Sequence, residues 1–292
     1  MSNEETANNK TSTIALAVGA VSFLALGFVF WDTLVETALI CWNDDDYSHG
    51  LLLPLISLYL LWENKEEISK AKSPSLWQVN IFGIVLLILG QVGFGVGLVS
   101  DLLFIRWVSF FISLVGVLLL VFGSSLTWLL APALLLNFMA KPLPDSLVPA
   151  LFWPLQNFAA KVSAWVLEIT NVPVYLKGNV IEIPGMSLMV EEACSGLRSL
   201  MALLTVALIV LFSMPLKFAY KVLIVFLAIA IAVALNIVRV AATGLLAHFY
   251  DPKAATGFFH SFSGLIVFVV GLAALYYVGS LLEKREKRSR TV

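Results

Sequence analysis

The strongest constraint on this chain is a series of apolar runs, most of them about as long as a membrane is thick. A helix that crosses the hydrocarbon core needs about 20 mainly apolar residues. The sequence therefore predicts an all-α polytopic membrane protein with about eight transmembrane helices. The runs at 49–62 and 124–139 are the shortest, and Pro132 interrupts the second of them. The predicted spans lie near 14–31, 49–62, 79–98, 102–122, 124–139, 195–213, 218–247 and 262–282.

Composition agrees with lipid as the main solvent. The chain is 60% hydrophobic and only 13% charged, whereas soluble domains carry about 25% charged residues. A net charge of -1 without a basic face gives no reason to expect a nucleic-acid partner. Two cysteines and no CxxC or His-rich spacing predict neither a disulfide framework nor a metal site, and no cofactor is expected.

The loops predict the orientation of the spans. Lysines occur in 63–78 and 214–221, whereas 32–48 has five acidic residues and no Lys or Arg. Because basic loops stay in the cytoplasm, eight crossings place both termini there, most simply in a cell (inner) membrane, and the acidic segment outside. The predicted organisation is a cytoplasmic tail over 1–13, one membrane domain over 14–282 and a basic cytoplasmic tail over 283–292.

The longest predicted outer stretch, 140–194, contains two different patterns. Residues 147–170 are apolar but include two prolines and four polar groups, which favours an amphipathic helix at the outer interface over a ninth span. Residues 172–190 alternate in polarity around Lys177-Gly178-Asn179, which is typical of a tight turn in a short β-hairpin. We expect this region to cap the outer face and to form the loop region of a catalytic site.

Cys194 is the first residue with chemical potential. It follows Glu192 and immediately precedes a predicted helix, whose dipole and unpaired N–H groups favour a thiolate. Arg198 lies one turn further on and adds positive charge on the same face. The pattern fits an active nucleophile, but a buried packing cysteine fits the local sequence equally well, and a disulfide with Cys41 is a weaker third alternative.

Arg239 is a charge inside an otherwise apolar helix. Placing an arginine at mid-bilayer costs about 2.5–3.5 kcal/mol on insertion scales, so a compensating role is expected. Asn236, Arg239 and Thr243 follow helical spacing and share one face in the predicted outer half. The arginine either snorkels to the outer headgroups or serves as a fixed cation that stabilises an anionic intermediate.

Two histidine-containing segments complete the candidate set. His260 begins the last predicted span on the outer side and is the best-placed general acid or base, with His248 as its competitor. The segment 44–50, which contains Tyr47 and His49, precedes the second span. It is either a solvated acidic loop that ends in a helix cap or a loop that docks substrate. Interfacial histidines are most often structural, so position alone does not show whether these histidines take part in catalysis.

The three strongest signals meet at one predicted membrane face. A cysteine, a histidine and a cation are the groups that thiol-based acyl transfer requires. In this arrangement the chain resembles the exosortase/archaeosortase family of multi-pass membrane transpeptidases. The resemblance covers most of the chain and is carried by Ala193-Cys194-Ser195-Gly196-Leu197-Arg198, by Asn236-Ile237-Val238-Arg239, and by His260 four residues before Gly264.

That resemblance implies a function. Cys194 is expected to be the nucleophile, with Arg239 and His260 completing the catalytic site on the periplasmic or exterior face. The implied substrates are secreted proteins whose C-terminal signal joins a Pro-containing motif, a membrane helix and a basic tail, as in the PEP-CTERM type. The acceptor is unknown, with a lipid or a glycan as candidates. A histidine at 260 is more similar to bacterial exosortases than to archaeosortases, in which arginine is usual.

Two other functions are compatible with the sequence. A non-enzymatic membrane component of polysaccharide or protein export would need no reactive thiol, although such transporters tend to show repeats and broken helices that are not evident here. Simple intramembrane proteolysis would use the same thioester with water as the acceptor. Selective labelling of Cys194 separates the first alternative from an enzyme, and the mass of the product separates the second from transfer.

Overall fold

The computed structural model describes residues 17–70, 80–141, 143–144, 146–189, 196–214, 216–250 and 258–290. The chain forms two compact units, Met1–Pro144 and Asp145–Val292. The single membrane domain predicted over 14–282 stays a prediction. The helices of the first unit are α1 (Ala17–Val29), α2 (Trp31–Asn43), a 3₁₀ helix (Asp45–Leu51), α3 (Leu53–Glu63), α4 (Lys65–Lys70), α5 (Ile81–Val99), α6 (Leu103–Val121) and α7 (Gly123–Phe138).

The N-terminal region differs from the predicted span and acidic loop. α1 and α2 are separated by a 65° bend, and Phe30 at the bend is fully buried against Phe94 and Phe110. The interpretation of 32–48 as a loop was wrong, because its acidic residues are interspersed with a buried helical face. That face consists of Thr33, Thr37 and Cys41, which follow one another at intervals of four residues.

α5 and α6 form a tightly packed hairpin through a stripe of glycines. Gly83, Gly90 and Gly97 are buried and occur every seventh residue along α5. A Cβ at position 90 would collide with Ser113 of α6, and one at position 97 would lie 2.7 Å from Arg106 Cγ. Small residues allow helix backbones to approach closely where no hydrophobic effect drives association, as in a membrane.

The second unit combines helices with a small sheet. Its strands form an antiparallel meander in the order β1-β2-β3, so the predicted hairpin is confirmed and extended by a third strand. The two turns contain Gly178 and Gly185, both with positive φ, as two-residue hairpin turns require. The elements are α8 (Leu147–Ile169), β1 (Tyr175–Lys177), β2 (Val180–Ile183), β3 (Met186–Met189), α9 (Gly196–Ser213), α10 (Phe218–Phe249) and α11 (Phe258–Arg290).

The sheet packs on two of these helices. Ile181 and Ile183 of β2 point into the core while Glu182 between them is exposed, as the period of a strand dictates. Leu167 of α8 lies against Gly244 of α10. The buried cluster contains Ala159, Ala160, Ala164, Leu167, Val172, Ile181, Ile183, Leu188, Val240 and Ala247.

The predicted number of spans is confirmed only in part. Within the described residues, four helices are long and apolar enough to cross a membrane, or five if α1 and α2 count as one bent span, so eight spans are not confirmed. α3 has 11 residues and α7 has 16, which gives lengths of about 16 and 24 Å. The predicted helix over 147–170 is confirmed as α8. Its position at the membrane interface stays a prediction. α11 continues to Arg290, so the described part of the basic tail is helical.

The candidate functional site

The site of interest lies between α10 and α11, which run antiparallel. At one end, the backbone N–H of Lys217 donates to Glu286 Oε2 at 2.8 Å. Glu286 is 2% exposed and places a carboxylate at the positive N-terminus of α10, where it is favoured. At the other end, Arg239 of α10 meets Ser263 and Gly264 of α11. These two contacts fix the register of the two helices.

Arg239 is held by specific contacts. Its side chain is buried, and Nε donates a hydrogen bond to Ser263 Oγ at 3.2 Å. The guanidinium lies against Gly264: a Cβ built there would be 3.2 Å from Nη2, 3.4 Å from Cζ and 3.5 Å from Nη1. Sequence reasoning missed Ser263, because its role depends on the register between two helices. Gly264 was noted only for its spacing from His260.

The two contacts between α10 and α11 are separated by the same number of residues on each helix. Lys217 and Arg239 are 22 residues apart, and so are Gly264 and Glu286. At 1.5 Å per residue this separation is about 33 Å, close to the roughly 30 Å of a hydrocarbon core. In addition, α10 beyond Arg239 packs on the sheet through Val240 and Ala247. Open sheet edges do not occur in lipid, which favours a position of the sheet outside the hydrocarbon core.

His260 belongs to the same end of α11. The helix is described from Phe258, which puts position 260 in its first turn. Positions 260, 263 and 264 are separated by three and four residues, so they lie on one side of the helix. The side chain of His260 lies outside the described part of the structure. The backbone therefore brings position 260 to the end of α11 that holds Arg239.

The predicted nucleophile precedes α9. Cys194 and Glu192 lie outside the described residues, and α9 follows from Gly196. Arg198, in the first turn of α9, is half-buried. α9 packs against both α10 and α11, and Leu200 lines a small cavity together with Asn236. The N-terminal end of α9 is thus level with the part of α10 that carries Arg239.

Asn236 and Thr243 occupy the predicted face of α10 beside Arg239. All three side chains are buried. Within the described residues, Asn236 Oδ1 has no hydrogen-bond partner. Asn236 and Gln156 line a cavity of about 20 Å³, which is room for one water molecule. The shared face that the sequence predicted is therefore confirmed, and it lies inside the bundle.

Tyr47 and His49 belong to the first unit. Tyr47 is buried, and the Nζ of Lys141 lies 4.1 Å from the centre of its ring. Both ring nitrogens of His49 are buried and make no hydrogen bond of normal geometry within the described residues. Burial lowers the pKa of His49, and the smaller opposing effect comes from the backbone at Met139 and Asp46. Most of the segment 44–50 therefore belongs to the 3₁₀ helix Asp45–Leu51, in which Tyr47 is buried while Asp44 before it and Asp45 are exposed.

The first unit also contains a second buried arginine and an apolar cavity. Arg106 of α6 pairs with Glu36 of α2 at 2.9 Å and approaches Asp101 at 3.8 Å. Cys41 is a buried thiol packed against the carbonyl of Ala140. A cavity of about 600 Å³ extends between α2, α3, α6 and α7, and is lined by groups such as Leu34, Ser57, Phe110, Leu114, Leu130 and Asn137.

These features define a class of protein first: a polytopic helical membrane protein with a buried, oriented guanidinium near one end of its longest helices. The family model described as transmembrane exosortase (Exosortase_EpsH) matches residues 41–277, and the chain belongs to that family. The resemblance inferred from the sequence is confirmed. No curated protein and no solved structure matches the chain.

Proposed function

We propose that the protein is a membrane-embedded cysteine transpeptidase. It cleaves the C-terminal sorting signal of secreted proteins, of the PEP-CTERM type, and transfers the remaining chain to an acceptor that is a lipid or a glycan. The reaction takes place at the outer face of the cell (inner) membrane, and both termini are cytoplasmic. Membership of the exosortase family supports this reaction class.

The chemistry uses three residues. The Cys194 thiolate attacks the scissile carbonyl carbon, and Arg239 stabilises the resulting oxyanion. Collapse of this intermediate breaks the C–N bond, and the departing amine takes a proton from His260. The acyl group stays on sulfur as a thioester. The acceptor then loses its proton to His260, attacks the thioester and releases the Cys194 thiolate.

The observation that carries the proposal is the fixed guanidinium. Arg239 is buried but oriented by Ser263 and Gly264, and an oriented cation stabilises a developing negative charge without reorganising during the reaction. Its depth also suits the substrate, because a Pro-containing motif beside a membrane helix emerges at the polar boundary. The N-terminal end of α9 follows Cys194 in the sequence and lies level with the part of α10 that carries Arg239. This position further supports Cys194 as the nucleophile.

Substrate recognition is proposed to involve the sheet. Among the described strands, β1 and β3 each pair only with β2, so both have an edge that can pair with an extended peptide. Strand addition of this kind supplies affinity through backbone hydrogen bonds and specificity through alternate side chains. Arg198, Asn236 and Glu192 are proposed as supporting residues, and Tyr47 and His49 as substrate-contacting or bracing residues.

The first test is processing of a secreted reporter that carries a PEP-CTERM-type tail. Wild type should shorten the reporter, and Cys194→Ala should abolish processing, because the nucleophile is lost. Cys41→Ser is the matched control: it changes the other cysteine, which packs against Ala140 and Gly50, and should retain processing. The two variants are compared at equal expression, measured by immunoblotting of the membrane fraction.

The outcomes separate the alternatives. Continued processing by Cys194→Ala would rule out the thioester mechanism. A wild-type protein that processes no reporter tail and whose Cys194 resists thiol reagents would favour an export component. The mass of the shortened reporter decides the second step, since hydrolysis leaves a free carboxylate and transfer leaves an added group.

A further inference from the structure

We propose that Ser263 and Gly264 are positioning residues that fix the direction of the Arg239 guanidinium. The inference rests on the proposed function, in which Arg239 stabilises the oxyanion. It extends that function by assigning α11 a second task besides carrying His260. Position 260 and the Arg239 cradle, defined here as Ser263 and Gly264, lie within five residues of one another on α11.

The hydrogen bond to Ser263 removes one degree of freedom. A guanidinium is planar and has five N–H donors in a fixed arrangement. Because Nε donates to Ser263 Oγ at 3.2 Å, rotation about the end of the side chain is restricted, and the directions of both Nη groups follow. A misplacement of about 1 Å in a group that acts on the transition state can reduce the rate about 100-fold.

Gly264 also restricts the position of the Arg239 guanidinium. The guanidinium lies so close to its backbone that a Cβ would be 3.2 Å from Nη2 and 3.4 Å from Cζ. Since the separation from Nη2 is tighter than an ordinary van der Waals contact, a side chain at 264 would displace the guanidinium by a few tenths of an ångström. A glycine within a helix costs about 1 kcal/mol relative to alanine, and the close contact with Arg239 accounts for its presence.

Two control positions have the same residue types, a serine and a glycine, at helix contacts away from the guanidinium. Ser163 also links a neighbouring helix to α10, since its Oγ donates to the carbonyl of Ile237 at 3.3 Å. Gly271 lies two turns beyond Gly264 on α11, and a Cβ there would meet the ends of the Leu203 and Leu235 side chains. Ser163→Ala and Gly271→Ala therefore disturb helix packing around α10 without touching the guanidinium.

The kinetic experiment measures processing of the reporter tail by purified enzyme in detergent. We expect Ser263→Ala and Gly264→Ala to lower kcat about 10-fold or more with KM changed less than about twofold, because only transition-state stabilisation is weakened. Ser263→Thr should restore most of the rate, since it keeps the hydroxyl. Ser163→Ala and Gly271→Ala should stay within about threefold of wild type.

A second measurement needs no substrate. Arg239→Ala leaves a space bounded by the cradle, and methylguanidinium should bind there and raise the unfolding midpoint by about 2 °C. Methylammonium at the same concentration should have no such effect, because it lacks the planar donor set. Adding Ser263→Ala to Arg239→Ala should abolish the shift, whereas adding Ser163→Ala should preserve it.

The results distinguish this inference from the proposed function. If Arg239→Ala is inactive while Ser263→Ala and Gly264→Ala behave like their controls, the cradle is not a positioning device although Arg239 still acts. A methylguanidinium shift that survives Ser263→Ala would also overturn the inference. If Arg239→Ala processes the reporter at the wild-type rate, the role of Arg239 in the proposed function is itself wrong.

Discussion

The two buried arginines of this protein are held in different ways. In the first unit, Arg106 pairs with the carboxylate of Glu36 at 2.9 Å and approaches Asp101. In the second unit, Arg239 donates through Nε to the hydroxyl of Ser263 and lies against Gly264. The first arrangement matches charge with charge across two helices. Among the described contacts of the second, a hydrogen bond to a hydroxyl and a close approach to a glycine orient the cation.

This difference indicates different tasks for the same residue type. A guanidinium paired with a carboxylate links α2 to α6, and its Coulombic interaction is already made in the resting protein. In the proposed function, Ser263 and Gly264 orient the guanidinium of Arg239 so that its Nη groups reach the oxyanion. We therefore expect loss of Arg106 to lower stability and loss of Arg239 to lower activity.

The largest expected effect is that of Arg239→Lys. Lysine keeps the positive charge but loses the planar donor set that Ser263 and Gly264 hold, so processing should fall at least about 100-fold at unchanged expression. Steady-state processing of the reporter, normalised to protein in the membrane, provides the measurement. Activity within a few-fold of wild type would mean that charge alone suffices and that the orientation of Arg239 is irrelevant.

Arg106→Met should have a smaller effect, and on stability. It leaves Glu36, which is 45% exposed, without its partner, and because that carboxylate is partly solvated we expect a loss of about 1–2 kcal/mol. Thermal unfolding in detergent is the measurement, and reporter processing at permissive temperature should be retained.

Lys70→Met is the control for Arg106→Met, because it removes a pair with Glu66 that is exposed on both sides. Such pairs contribute little to stability. If Arg106→Met abolished processing while the protein remained folded, the division of tasks between the two arginines would be wrong.

The smallest expected effect concerns His49 and pH. Burial lowers the pKa of His49 in the folded protein, so the unfolded chain binds a proton more readily. The stability that depends on neutral His49 is fully present above the unfolded pKa of about 6.5 and is lost as the pH falls through the lower folded pKa. Between pH 7.5 and 5.5, His49→Gln should lose less thermal stability than wild type, by under about 1 kcal/mol. Equal pH slopes would contradict this.

The family and the shared face of α10 could be predicted from the sequence because they follow local spacing. Asn236, Arg239 and Thr243 share a face because a helix repeats every 3.6 residues, and the hairpin at Lys177-Gly178-Asn179 follows from turn chemistry. The register between α10 and α11 has no local signal. Ser263 therefore could not be assigned to Arg239 until the antiparallel packing of the two helices was known.

The eight predicted spans were not confirmed for a related reason. Apolarity alone does not distinguish a full crossing from a short buried helix, and α3 with 11 residues was counted because its flanks are also apolar. The region 32–48 was misread because its acidic residues hide the four-residue period of Thr33, Thr37 and Cys41. The glycine stripe at positions 83, 90 and 97 was visible in the sequence and could have predicted the α5–α6 hairpin.

The two contacts between α10 and α11 are 22 residues apart on each helix, and this fixed separation should make activity sensitive to bilayer thickness. Helices cannot shorten, so a membrane thinner than the distance between Glu286 and Arg239 must be met by helix tilt or lipid deformation, at a modest cost per ångström of mismatch. Under the proposed function, such tilt would displace Arg239 from the surface at which the substrate emerges. Activity in bilayers of graded acyl-chain length should therefore peak where the hydrocarbon core is about 30 Å thick.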